Sequence, residues 1–248
     1  MKVDAPFGSP DWVEKVFAAP PVDLMKGRTR YTQAHVPWDD VSSSEVQLQG
    51  RNEYIPFLVL CYLRTIGLIT RFKAHPFFTT CDDLGWEIRP DLLAEGVDGT
   101  RYVIEAKTAR FVTREVELLL EKNRSGLEPF GLKYLYWSDW SPMTRPVRHN
   151  LINMRRCAKE EISSGEFQLL VDLLKRNHRI TVEEAIQNSV DLTTVFAAWW
   201  RGKIFLALTE DLTLTSKISL KPMEDYGQLF LQTTPIRDSW WSTLPQAA

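Results

Sequence analysis

The segment from Trp86 to Lys107 constrains the fold more than any other part of this 248-residue chain. Residues 101–107 contain aromatic and β-branched side chains that favour a buried strand. Residues 95–99 contain two glycines that suit a tight reversal, so residues 86–93 are predicted to form the first arm of a β-hairpin. A chain organised around this hairpin is expected to bury a sheet.

Three charged residues stand within the apolar hairpin: Asp91, Glu105 and Lys107. Glu105 and Lys107 are two positions apart, so on a strand their side chains point to the same face. Burial of two carboxylates and a lysine is unfavourable unless something pairs with them. Mg²⁺ is a natural partner because it prefers oxygen ligands. The hairpin therefore predicts a divalent-metal site, and the alternative is a surface hairpin with an ordinary Glu-Lys pair.

The pattern Pro90-Asp91 followed by Glu105-x-Lys107 resembles the signature of the restriction-endonuclease-like nucleases. The resemblance implies that Asp91 and Glu105 hold the metal, which polarises the scissile phosphate and acidifies a bound water. Lys107 is expected close to that water and to the charge that develops on the phosphate.

A second apolar segment lies before the hairpin and supplies another acidic residue. Residues 57–63 predict a buried helix that ends near Gly67, with Pro56 in its early turns. Glu53 stands at the start of this helix. It is either a third acidic group at the metal site or a residue whose charge stabilises the helix N-terminus. Glu45 is a weaker candidate for the same role, because it lies before the apolar helix.

The predicted elements around the hairpin follow the order helix, strand, strand, strand, helix, strand. Residues 69–78 predict the strand before the hairpin, residues 114–124 the second helix and residues 131–137 the last strand. The residues of the second helix that are predicted to face inward are Val116, Leu119 and Leu120. This order favours an α/β fold with a mixed sheet flanked by helices.

Composition excludes several functional classes. A net charge of −2 at pH 7 excludes a polycationic nucleic-acid binder, so contacts to DNA must come from local patches. The three cysteines are scattered and the four histidines lie far from them, so neither a disulfide framework nor a zinc site is indicated. Such cysteine usage fits a reducing compartment. With no apolar run of about 18 residues, the chain is expected to be cytoplasmic and without a membrane span.

The composition shifts near residue 150 from sheet-like to helix-like, which predicts one domain at 1–150 and another at 151–248. Basic residues are concentrated at this junction, where Arg145 and Arg148 are predicted DNA contacts. A second basic cluster contains Arg28 and Arg30. It is predicted either to contact phosphate or to form a solvated arm.

The second domain has the pattern of a winged helix. Capping-box patterns begin at Ser163 and Thr181, and Asp191 can cap a third helix that Gly202 ends. The two strands of the wing are predicted at residues 204–208 and 212–220.

The third helix of this domain is mostly apolar, which favours packing or a protein partner over DNA. Trp199 and Trp200 are adjacent, so on a helix they lie about 100° apart, and one of them is expected to remain near the surface. Trp240 and Trp241 in the tail are either a docking anchor or a segment that folds back onto the domain.

The combination of these features resembles the TnsA-type endonuclease subunit of heteromeric, Tn7-like transposases. The match covers most of the chain and includes the helix 50–63, the strand 134–139 and the junction 145–151. The positions that match the catalytic residues of that family are Glu53, Asp91, Glu105 and Lys107.

The resemblance implies a bacterial, Mg²⁺- or Mn²⁺-dependent endonuclease that cuts the 5′ ends of a transposon. Asp91, Glu105 and Glu53 would be its metal ligands. A DDE transposase would cut the 3′ ends, and the C-terminal domain would bind an AAA+ ATPase regulator. Two alternatives are a stand-alone restriction or repair nuclease of the same fold and a catalytically silent architectural transposition protein. The four charged residues argue against the silent protein, because unneeded buried charges are unfavourable.

Overall fold

The protein is a mixed α/β molecule with a sheet of mixed strand orientation. The computed structural model describes residues 5–20, 33–37, 45–49, 51–76, 79–81, 86–108, 111–138 and 144–224. The helices of this part are α1 (Pro10–Ala18), α2 (Arg51–Thr65), α3 (Arg114–Leu127), α4 (Thr144–Cys157), α5 (Ser164–Asn177), α6 (Val182–Gln187) and α7 (Leu192–Trp200). Its strands are β1 (Gln33–Pro37), β2 (Glu45–Gln49), β3 (Ile69–Ala74), β4 (Thr79–Cys81), β5 (Trp86–Ile88), β6 (Leu92–Gly96), β7 (Arg101–Lys107), β8 (Leu132–Ser138), β9 (Arg179–Thr181) and β10 (Lys217–Ser219).

The largest sheet in the described part of the chain has the strand order β3-β6-β7-β8. β3, β6 and β7 are antiparallel neighbours, whereas β8 runs parallel to β7 after the crossover through α3. The mixed sheet is therefore confirmed. The predicted order of helix, three strands, helix and strand holds for this sheet, although β4 and β5 lie between β3 and β6 in the chain and form a separate two-stranded sheet. Glu105 lies opposite Tyr136 in the parallel pair, one strand away from the sheet edge.

Both faces of this sheet are covered by apolar cores. Because side chains alternate along each strand, neighbouring residues of one strand enter different cores. Leu92 and Ile104 pack into one core with α2, whereas Leu93 and Val103 pack into another with α1. The charged residues at the ends of these strands therefore lie beside well-packed apolar layers.

The central hairpin is shorter than predicted, and its first arm is β6 alone. Residues 86–88 pair instead with residues 79–81 in a separate two-stranded sheet. Pro90 separates the two segments, because proline has no N–H to donate to a sheet ladder. Gly96 belongs to the strand and not to the turn, which is closed by Asp98 accepting a hydrogen bond from the Thr100 backbone N–H at 2.9 Å.

The prediction for α3 was wrong at one of its three inward residues. Leu119 is 48% exposed, whereas Leu120 packs against the core and Leu127 is fully buried. Asn123 completes the buried stripe with a spacing of three and four residues, which is the helical period. Leu119 lies one position off that stripe.

The C-terminal region keeps the predicted helices but changes the predicted wing. Thr181 and Glu184 form the complete capping box, Asp191 caps α7, and Gly202 adopts a left-handed φ of 64°. At Ser163 only half of the box forms, because the Glu166 carboxylate accepts from Thr194 Oγ1 at 2.6 Å.

The strands of the predicted wing are shorter than expected. Within the described residues, 204–208 contributes only a single bridge at Phe205 to Ser219, and the strand β10 is limited to three residues. β10 pairs mainly with β9, which lies between α5 and α6. A short strand early in the domain, not the segment after α7, therefore provides the main partner.

The expectation that one tryptophan of α7 stays near the surface was also wrong. Trp199 is fully buried and Trp200 is 6% exposed. α7 packs against α4, while the Trp200 ring lies 6.3 Å from the Tyr62 ring of α2 and beneath the guanidinium of Arg155. Side chains 100° apart are both covered because α7 is enclosed on more than one side.

The remaining predictions concern the domain boundary, the basic residues and the tryptophan pair of the tail. Residue 150, the predicted domain boundary, lies inside α4, and one apolar core contains residues from both sides of it. The division into two domains stays a prediction. Arg145 and Arg148 are exposed on α4. Arg28, Arg30 and the pair Trp240-Trp241 lie outside the described residues.

Candidate metal centre

Glu53 lies in the first turn of α2 and is buried, with an exposed fraction of 6%. The apolar face of α2 holds it there, since Phe57 and Leu58 in the next turn are fully buried. Asn52, one position earlier, donates a side-chain hydrogen bond to Thr108 just beyond β7. This contact ties the start of α2 to the end of the strand that carries Glu105.

Asp91 immediately precedes β6 and joins two neighbouring strands. Its Oδ2 accepts a hydrogen bond from the backbone N–H of Ala106 on β7 at 2.7 Å. Its backbone carbonyl accepts from the N–H of His75 at 2.8 Å, directly after β3. The carboxylate therefore takes the place of a further residue in the β6–β7 ladder, and it is partly buried at the end of the sheet.

His75 is the residue of this site that the sequence reasoning missed. It is buried, with a side chain 10% exposed, and its Nε2 lies 3.1 Å from Glu53 Oε2. Nε2 has no hydrogen-bond partner among the described residues. The 3.1 Å separation is therefore a close approach of an imidazole nitrogen and a carboxylate oxygen at one buried site.

The backbone of His75 is strained. Its φ is 45°, in the left-handed region, and the next residue is Pro76. A residue before proline prefers extended backbone, and a left-handed residue other than glycine costs on the order of 1–3 kcal/mol. Such strain is concentrated at functional sites, where surrounding contacts hold it. Here the hydrogen bond to the Asp91 carbonyl holds it.

Glu53, His75 and Asp91 each offer a ligand atom, and these atoms all lie within 4.8 Å of one another. Two carboxylate oxygens and one imidazole nitrogen at this spacing could hold a divalent cation. Two of the three, Glu53 and Asp91, were predicted from the sequence as metal ligands, and that role stays a prediction.

Glu105 and Lys107 lie beside this group and pair with each other. Glu105 is buried, and its Oε1 contacts the Lys107 ammonium, as expected for residues two apart on one strand. The Lys107 side chain remains 36% exposed, so the site reaches solvent at this residue. The predicted role of Glu105 as a metal ligand stays a prediction.

The electrostatics of the site are dominated by crowding of carboxylates. Burial raises the pKa of Asp91 well above its usual range, and the charges of Glu105 and Glu53 raise it further. Burial also raises the pKa of Glu105, although the Lys107 charge opposes that shift. Burial lowers the pKa of Lys107, but the charge and hydrogen bond of Glu105 outweigh it, so the pKa rises overall.

These shifts describe a site that favours added positive charge. Among the described residues, this site contains three carboxylates, one lysine and one histidine. A proton on Asp91 or a bound cation relieves the repulsion, and the two alternatives compete.

The chain has no match among protein-family models, and no significant match was found among curated proteins. None of the helices in the described part of the chain combines the length and apolar character that crossing a membrane requires. Functional evidence therefore comes from the residues of the site themselves.

Replacing Asp91 by Asn is expected to stabilise the protein when divalent metal is removed with a chelator. The amide keeps an oxygen for the Ala106 N–H but removes one of the crowded charges. A gain of about 1 kcal/mol corresponds to a rise in Tm of roughly 2–4 °C for a chain of this size. Thermal unfolding at pH 7 in the presence of EDTA measures it.

The pH dependence has a defined sign. Because the folded-state pKa of Asp91 is raised, its contribution to stability is greatest at low pH and is lost as pH rises through that pKa. The wild-type protein should lose this stability on going from acid to neutral pH, and the Asp91→Asn variant should not. Asp98→Asn is the control, because Asp98 is exposed and its pKa is lowered by Thr100. An Asp91→Asn variant that melts lower than the wild type in EDTA would contradict the expectation.

Proposed function

We propose that this protein is a metal-dependent endodeoxyribonuclease of the restriction-endonuclease-like type. The observation that carries the proposal is the convergence of Glu53, Asp91 and Glu105 with Lys107 at one end of a mixed sheet. These residues come from α2, from the segment before β6 and from β7, so three separate elements meet at one polar cluster. Structural ion pairs rarely gather three carboxylates around one lysine, since like charges repel.

The position of each residue suggests its role in the proposed reaction. Glu53 and Asp91 would bind Mg²⁺ or Mn²⁺, with Glu105 oriented beside them by Lys107. The metal would supply Lewis-acid activation of the phosphodiester and of the attacking water. Lys107 is partly exposed and fully cationic at neutral pH, since its pKa is raised. It would stabilise the negative charge that grows on the phosphate oxygens.

The fold supports this assignment. The order α2, β3, β6, β7, α3, β8, with β8 parallel to β7, matches the core that the sequence resemblance implies. The order α5, β9, α6, α7, bridge, β10 is compatible with a winged helix. Within this reading, the more specific proposal is a TnsA-type subunit that cuts the 5′ ends of a Tn7-like transposon. It would work with a DDE transposase and an AAA+ ATPase that binds its C-terminal domain.

α4 supplies a candidate surface for the DNA backbone. Residues 144–157 contain four arginines and no acidic residue. Val147 and Leu151 are fully buried, whereas Arg145 and Arg148 are exposed on the other side, three residues apart. α7, in contrast, buries residues 194–200 and leaves little surface for reading bases.

The test of the proposal is cleavage of a plasmid that carries the transposon ends, with the transposase and the ATPase from the same locus present. Asp91→Ala should abolish 5′-end cleavage, because one metal ligand is lost. Asp98→Ala, in an exposed turn of the same hairpin, should cut normally. Undiminished 5′-end cleavage by Asp91→Ala would overturn the assignment. Cleavage by the wild-type protein alone, without the partners, would favour the stand-alone nuclease.

Lys107→Met is expected to lower the rate of cleavage about 10²- to 10³-fold, the usual effect of removing one group that stabilises transition-state charge. DNA affinity should change little, because a single cation contributes only one phosphate contact. Single-turnover kinetics and a binding titration separate the two effects. Lys133→Met, at an exposed position on the neighbouring strand β8, is the matched control. Weak binding with a normal rate would make Lys107 a phosphate clamp only.

The double variant Arg145→Ala/Arg148→Ala is expected to weaken DNA binding uniformly across sequences. Loss of two phosphate contacts should reduce the slope of log affinity against log salt by about 2. Lys175→Ala/Arg176→Ala, a pair of exposed basic residues in the last turn of α5, is the matched control. An unchanged salt slope in the α4 variant would exclude this face as the DNA contact.

A further inference from the structure

The candidate metal centre contains a nitrogen ligand where a site built for Mg²⁺ would contain only oxygens. Mg²⁺ is bound by carboxylates, waters and phosphates in near-octahedral geometry. Here one of the three ligand atoms within 4.8 Å of each other is on an imidazole. The chemistry of the donor set therefore differs from the one that the sequence predicted.

The distance between His75 Nε2 and Glu53 Oε2 fits two ligands of one ion. Two ligands at right angles around a metal, each about 2.1 Å from it, lie about 3 Å apart. The observed separation is 3.1 Å, and Nε2 has no hydrogen-bond partner among the described residues.

The imidazole is held in place without the help of Nε2. The His75 backbone is fixed by the hydrogen bond of its N–H to the Asp91 carbonyl, and its φ of 45° turns the chain before Pro76. The side chain is nine-tenths buried, and Nε2 has no hydrogen-bond partner among the described residues. A buried nitrogen of this kind normally has a partner. A cation bound between Nε2, Glu53 and Asp91 would satisfy it.

We infer that His75 is a direct metal ligand and makes this centre selective for Mn²⁺ over Mg²⁺. Imidazole nitrogen binds first-row transition metals well, whereas Mg²⁺ gains little from it. The two carboxylates keep the site within the oxygen-rich range that Mn²⁺ also accepts. The inference rests on the proposed function, because it assigns the metal of the same nuclease centre.

The test is metal binding by the full-length chain, without DNA. Titration calorimetry with MnCl₂ and with MgCl₂ gives the ratio of the two affinities. His75→Gln replaces the nitrogen by an amide oxygen with a similar reach. It should lower the Mn²⁺-to-Mg²⁺ affinity ratio about tenfold or more, because even indirect partners of metal ligands change affinity by 10- to 100-fold.

His178→Gln is the matched control, since His178 also has a left-handed backbone, with φ 61°, but is exposed at the end of α5. It should leave the ratio unchanged. An equal ratio in the wild type and in His75→Gln would overturn the inference.

A spectroscopic measurement on the wild-type protein does not depend on whether His75→Gln folds. Pulsed electron paramagnetic resonance of the Mn²⁺-loaded chain should show the nitrogen coupling of one coordinated imidazole. The His178→Gln variant should retain that signal. Its absence from the Mn²⁺-loaded wild type would overturn the inference.

The two proposals fail in different ways. Imidazole-coordinated Mn²⁺ in a protein that cuts no DNA supports the inference and counts against the nuclease. Metal-dependent cleavage with no imidazole signal and no Mn²⁺ preference supports the nuclease and overturns the role of His75.

Discussion

The hydrogen bonds of Asp91 are the contacts on which the polar end of the sheet depends. Its carboxylate takes the Ala106 N–H of β7, and its carbonyl takes the N–H of His75 after β3. One residue thus fixes the ends of two strands and the position of an imidazole. Both bonds use backbone N–H groups, so they do not depend on the side-chain atoms of positions 75 and 106, although a proline at either position would remove the donor. The register of the apolar strands therefore determines the spacing of the ligand atoms.

The same arrangement concentrates negative charge that the metal-free protein must accommodate. The free energy of unfolding of a domain is of the order of 5–15 kcal/mol. The cost of a few crowded carboxylates and one strained residue is therefore a substantial fraction of that stability. Apolar layers on both faces of the sheet supply the compensating stability, with Leu92 and Ile104 on one side and Leu93 and Val103 on the other. The site is thus supported by its scaffold and is not itself a source of stability without a cation.

The sequence was most informative where local rules apply. The two-residue spacing of Glu105 and Lys107 predicted that their side chains share a face, as their contact shows, and the caps at Thr181 and Asp191 predicted two helix starts. It was less informative where distant elements decide the outcome. The burial of both Trp199 and Trp200 depends on α2 and α4, which helical period alone does not reveal.

His75 shows the same limit at the site. In the sequence it is one of four scattered histidines, sixteen positions before Asp91 and twenty-two after Glu53. Only the pairing of β3 with β6 brings it opposite Asp91. The one local signal was His75-Pro76 at the end of an apolar strand, which marks a chain reversal but not a ligand. The scattered histidines and cysteines form no zinc pattern, and the spacing in the sequence does not relate His75 to the carboxylates that it approaches in space.

α2 has a consequence that extends beyond its role in the core. It carries Glu53 in its first turn, and in the following turns it presents Tyr62 to Trp200. Its 15 residues span about 22 Å. Ile66, just beyond its end, lies against Gly202, where a Cβ would approach it at 2.9 Å. α2 thus connects the seat of α7 with the position of Glu53 in the candidate metal centre. If a cation bound there and α2 transmitted its effect, thermodynamic reciprocity would make the position of α7 and the affinity for that cation depend on each other.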